Sequence, residues 1–72
     1  MEFDYSKLRG RIVEICGNMK TFADLMGLSQ KTISLKVCGK IYWTQKEMVR
    51  SAEILKFDFS DVPLYFFAPK VQ

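Results

Sequence analysis

NMKTFADLMGLSQKTISLKVCG, residues 18–39, reads as two short helices joined by a tight turn. Phe22, Ala23 and Met26 recur at helical spacing and share one face. Gly27 stops that helix, because glycine takes the left-handed conformation needed just past a helix end. Leu28 turns inward. Asn18 and Ser29 stand where each helix starts, each able to accept from the free N–H groups of a first turn. The second helix then runs from Gln30 to Val37, with Ile33 and Val37 one turn apart and facing the core. Ala23 at the crossing of the two helices lets them approach closely.

The other side of the second helix carries Gln30, Lys31, Ser34 and Leu35. Helix-turn-helix DNA readers present such a side to the major groove, and any helical hairpin with a glycine turn shares the layout. Leu35 there either meets a thymine methyl or packs on a neighbouring helix. Charge bears on the choice. The chain carries a net +3. Residues 1–17 cancel, and residues 47–72 carry −1. Residues 18–46 carry Lys20, Lys31, Lys36, Lys40 and Lys46 against Asp24 alone, a net +4. The excess lies on the helix pair and the loop after it, where a phosphate footprint would fall. A solvated lysine face is the alternative.

At 72 residues and 49% hydrophobic, the chain is expected to form one domain spanning residues 1–72, near the lower size limit for folding without staples. No apolar run approaches the roughly 20 residues that cross a bilayer. The start, MEFDYSKLRG, has no apolar signal-peptide core, so a protein that stays in the cytoplasm of whatever cell makes it is expected. There is no histidine, which removes the commonest metal ligand and general base. Cys16 and Cys38 lack metal-binding spacing and read as small, sheltered, unpaired side chains. No catalytic constellation, metal or cofactor is expected.

Asp4 is placed to cap a first helix from Tyr5, after a loose start at residues 1–3. Tyr5, Leu8, Ile12, Ile15 and Cys16 form its apolar stripe. Gly10 either permits close packing or is tolerated, and Gly17 ends the helix. After Gly39 comes the loop GKIYWT, with Lys40 and Tyr42 placed to reach phosphates and Trp43 directed inward. Thr44-Gln45-Lys46-Glu47 is a capping box. It opens a helix with Met48, Ala52 and Leu55 buried that ends near Lys56. Asp58 caps a short fifth helix that Pro63 interrupts. Tyr65, Phe66 and Phe67 either close the core or make a subunit contact. Leu28, Trp43 and Phe57 each precede a cap and lie five residues before Ile33, Met48 and Val62, the pattern of hydrophobic staples. No strand pattern stands out, so the fold is expected to be all-α, about five helices in one compact domain.

Five short helices, with Ala23, Gly27 and Ile33 at these spacings, resemble the lambda-repressor-like (Cro/C1-type) family from Asp4 to Phe67. The runs DYSKLRGRIVE and FADLMGLSQKTISLKVCGK and the YFF ending are similar to small regulators of temperate phages of Gram-positive hosts. Some of these act like Cro; others are modulators of repression that bind the phage repressor itself. The resemblance implies base contacts from Gln30, Lys31, Ser34 and Leu35. It implies phosphate contacts from the helix start at Met19, Lys20 and Thr21, favoured by the helix dipole, and from Lys40. Two departures stand out. Cys38 replaces an asparagine that often precedes the glycine, and Lys56 replaces a glycine that often follows helix four.

Two functions are therefore expected of this chain. The first is a Cro-type regulator of double-stranded DNA, forming a weak homodimer completed on DNA. Gln30 would pair with adenine or Lys31 with guanine, while Ser29, Lys20, Thr21, Lys36, Lys40 and Tyr42 hold phosphates. The second is an anti-repressor that grips the phage repressor through the same outward face, with Leu35, Ile41 and Tyr42 as anchors.

Overall fold

Side-chain caps fix where the interior helices begin. In the computed structural model, which describes residues 2–70, the chain forms α1 (Ser6–Cys16), α2 (Met19–Met26), α3 (Gln30–Val37), α4 (Gln45–Leu55) and α5 (Val62–Phe66). A 3-10 turn, Phe59–Asp61, leads into α5. Asn18 Oδ1 accepts from Thr21 N–H at 2.8 Å, and Ser29 Oγ accepts from Thr32 N–H at 3.1 Å. The capping box is complete: Thr44 Oγ1 accepts from Glu47 N–H at 3.2 Å, and Glu47 Oε1 accepts from Thr44 N–H at 2.9 Å. Each such cap stabilises its helix by about 1 kcal/mol. Among the described residues, the nearest thing to a strand is an isolated bridge between Phe3 and Pro69.

Three helices stop in the same way. The N–H groups of Leu28, Lys40 and Phe57 donate back to the carbonyls of Ala23, Leu35 and Ala52, at 3.0, 2.9 and 3.2 Å. This closure needs a left-handed residue just before the donor. Gly27 and Gly39 supply it at φ 74 and 81, and Lys56 supplies it at φ 60. Lysine meets a Cβ clash there that glycine does not. Lys56→Gly is therefore expected to stabilise the domain by about 1 kcal/mol. That should raise Tm by about 4–8 °C in a domain of this size, read by thermal circular dichroism. A lowered Tm would show that the left-handed turn carries no strain.

The core gathers Leu8 and Ile12 of α1, Phe22 and Ala23 of α2, Ile33 and Val37 of α3, Leu55 of α4, and Val62 and Phe66 of α5. Trp43 enters it from the loop before α4. α2 packs against α1, α3 and α4, while α1 also meets α4 and α5. Of the six residues in the expected staple pairs, Ile33, Trp43 and Val62 belong to this core and Leu28, Met48 and Phe57 pack against it. Arg11 locks the end of α4 onto α1. Its Nε donates to Leu55 O at 2.9 Å and its Nη2 to Lys56 O at 3.1 Å. A guanidinium suits a helix C-terminus, where carbonyls lack partners and the dipole is negative.

Several expectations need correction. α1 starts at Ser6, one residue later than expected, with Tyr5 in the capping position, while the Asp4 side chain does bond the helix start, its Oδ1 accepting from Ser6 N–H at 2.8 Å. Ile15 is exposed and Cys16, one turn beyond Ile12, takes the inward place. The start is not loose at residues 2 and 3: Lys70 N–H donates to Glu2 O at 3.1 Å and Asp4 N–H to Ala68 O at 2.7 Å. Met1 lies outside the described residues. Pro63 does not interrupt α5 but stands in its first turn, where a missing N–H costs nothing. Gly10 is tolerated rather than required, since a Cβ there meets nothing within 4 Å. The aromatic tail divides. Phe66 is buried with its ring 5.0 Å from that of Trp43, Tyr65 stacks on Phe57 at 4.2 Å, and Phe67 stays half outside with its edge to Phe3.

Candidate interaction face at helix α3 and the following loop

Ile33 and Val37 seat α3 on the core, so its opposite side faces solvent. Gln30, Lys31 and Ser34 are exposed there, and Leu35 is half-buried. Leu35 thus stands between its two alternatives, partly packed and partly available. Ser29 is exposed as a residue, but its hydroxyl is engaged. It caps α3 and donates to Thr32 Oγ1 at 2.8 Å. Lys20 and Thr21 are exposed at the start of α2. The N–H of Thr21 is taken by Asn18, and Lys20 Nζ lies 3.6 Å from Asp24 Oδ2.

The loop after α3 holds the most exposed apolar groups of this face. Tyr42 is 91% exposed and Ile41 39%. A hollow of about 210 Å³ beside them is walled by Phe3, Tyr5, Cys38 and Lys70. Adjoining exposed apolar side chains rimmed by polar ones form the kind of patch that meets a partner. Cys38 is exposed, not sheltered as expected, because it follows Val37 at the outer end of α3. Its Sγ lies 3.5 Å from Arg9 Nη2. Cys16 is half-buried, and burial pushes its thiol pKa up, so it stays protonated at neutral pH.

Lys36 is the largest departure from the sequence reading. It was expected on the phosphate footprint, yet it is only 5% exposed. Its Nζ lies 2.9 Å from Glu47 Oε1, donates to Tyr42 O at 2.8 Å, and sits 5.8 Å from the centre of the Trp43 ring. A buried ammonium needs such partners, since leaving one unpaired costs several kcal/mol. Burial pushes the Glu47 carboxyl pKa up, but the Lys36 hydrogen bond, the Thr44 N–H and the Lys36 charge together hold it below the ordinary glutamate value. The Glu47 carboxylate is thus ionised at neutral pH.

The charge on this side is accordingly thinner than counting residues suggests. Of the five lysines in residues 18–46, Lys36 faces inward and Lys20 pairs with Asp24. Lys31, Lys40 and Lys46 remain exposed without an ion pair among the described residues. The structure brings Gln30, Lys31, Ser34 and Leu35 onto one helix, followed directly by Lys40, Ile41 and Tyr42. It removes Lys36 from that set.

Comparison with known proteins bears on this geometry. The model of a protein family described as "Protein of unknown function (DUF739)" matches residues 1–69. The chain belongs to the DUF739 family. No curated protein matches it in sequence. Among solved structures, this DUF739 chain is similar to the modulator of repression (MOR) of the temperate bacteriophage TP901-1 from Lactococcus lactis. The two are 43% identical, the match covers 100% of this chain and 97% of the other, and the TM-score is 0.82. The five-helix fold is thus that of a small phage modulator. Among the described residues, no helix is long and apolar enough to cross a membrane.

Proposed function

We propose that this chain is a phage modulator of repression that acts by binding the phage's DNA-binding repressor, without enzymatic chemistry. The observation that carries this reading is its 43% identity, over the whole chain, to a phage modulator of repression. The site chemistry supports it. An almost fully exposed tyrosine, an exposed isoleucine and a half-buried leucine suit a protein surface better than a row of phosphates. Such aromatic anchors dominate protein interfaces. Tyr42 and Ile41 are the central anchors, Leu35 widens the apolar contact, and Gln30, Lys31 and Ser34 form a polar rim. The work is placed in the cytoplasm of the bacterial host, where phage repressors meet DNA.

A second reading, the Cro-type regulator, is favoured by one observation. Gln30, Lys31 and Ser34 stand exposed on one short capped helix, as base-reading residues must. In that reading Lys20, Thr21, Lys40 and Tyr42 would meet phosphates, Ser29 only through its backbone, and the chain would act as a weak homodimer on its operator.

A gel-shift experiment with purified phage repressor and operator DNA separates the two. The expected result is release of the operator from the repressor as this chain is added, with no shift of operator by this chain alone. A shift by the chain alone, with log K falling linearly against log salt, would establish the DNA-reading function instead.

A further inference from the structure

Lys36 ties three consecutive residues of the loop from within. Its Nζ donates to the carbonyl of Tyr42 at 2.8 Å. It lies 5.8 Å from the ring centre of buried Trp43, within range of a cation–π contact. It also lies 2.9 Å from Glu47 Oε1, the atom that accepts the N–H of Thr44 at 2.9 Å. The last turn of α3, residues 42–44 and the first turn of α4 therefore meet at one ion pair. The side chains of Ile41 and Tyr42 are exposed in this same loop. A loop with such exposed side chains ordinarily loses freedom when a partner orders it, and that loss weakens binding. Here the backbone beneath the anchors is already tied down.

We propose that Lys36 is a positioning residue for repressor binding: its buried ammonium holds the loop backbone at Tyr42 so that Ile41 and Tyr42 are preformed anchors. This rests on the repressor-binding reading given above. Lys36 itself touches no partner. Methionine in its place keeps most of the apolar stem and removes the donor to Tyr42 and the charge facing Glu47.

The test uses the full chain carrying Lys36→Met and has two arms. The first needs no partner. In 15N relaxation, the heteronuclear NOE of the Ile41, Tyr42 and Trp43 amides should fall, while α1 and α2 keep theirs. The second measures affinity for the purified phage repressor. It should fall about tenfold, as when only a tenth of molecules hold a competent loop. In a Tyr42→Ala background the same substitution should change affinity clearly less than about tenfold, because one of the two anchors it positions is gone. Ile12→Val, a small core loss on α1, should leave affinity unchanged and so separates positioning from general destabilisation. An unchanged loop NOE overturns the proposal, as does an equal Lys36→Met effect with and without Tyr42. Failure of the wild-type chain to bind the repressor overturns the interface reading, and the relaxation arm then decides separately whether Lys36 orders the loop.

Discussion

Replacing Trp43 with alanine should cost about 3–5 kcal/mol of stability. The ring is 7% exposed and joins parts of the chain that are distant in sequence. It meets Phe66 of α5 edge-on at 5.0 Å and Tyr5 at 6.4 Å, and it lies under the Lys36 ammonium. Alanine leaves a cavity between these elements and strips the buried ammonium of one neighbour. A domain of this length holds about 4–11 kcal/mol in total, so the variant should be marginal at room temperature. Urea unfolding followed by far-ultraviolet circular dichroism measures the loss. Trp43→Phe should lose much less, since it keeps a ring on Phe66 and deletes an Nε1–H that finds no acceptor among the described residues. A Trp43→Ala loss below about 1 kcal/mol would place the ring outside the core, contrary to the packing described.

Tyr42→Ala should do the reverse, leaving the fold intact and removing the interaction. The side chain is 91% exposed, so truncation removes almost no core contact. The Lys36 bond goes to the Tyr42 carbonyl, which alanine retains. A central aromatic anchor contributes about 2 kcal/mol or more, so affinity for the phage repressor should fall roughly thirtyfold or more. Titration calorimetry with purified repressor, alongside an unchanged Tm, provides the measurement. Unaltered affinity would remove Tyr42 from the interface.

The fold was largely legible because its signals are local. Asn18, Ser29 and Thr44 cap within three residues, and Gly17, Gly27 and Gly39 mark helix ends by their own conformational freedom. A chain whose local choices agree with its fold can be read this way. The misses share a cause, dependence on residues far away in sequence. Arg11 holds carbonyls 44 and 45 residues downstream, which no local spacing announces. Lys36 was counted with the phosphate footprint because lysines are nearly always at the surface. Its spacing from Ile33 pointed inward, and Glu47 and the Tyr42 carbonyl opposite it make the burial tolerable.

The outward side of α3 was legible as a surface but not as a surface for one partner. Packing dictates Ile33 and Val37, whereas nothing inside the domain dictates Gln30, Lys31 or Ser34. The same pattern suits a groove in DNA and a patch on a repressor. Removal of Lys36 from the footprint and the exposure of Ile41 and Tyr42 tilt the balance toward protein. Both needed tertiary structure to be seen.

The most direct measurement is a titration of the 15N-labelled chain with unlabelled phage repressor, followed by amide chemical shifts. The account predicts that the largest changes fall on residues 30–35 and 40–42, and that operator DNA alone moves none of them at physiological salt. Changes confined to α5 or to the exposed side of α1, or shifts at residues 30–35 produced by operator DNA alone, would contradict it.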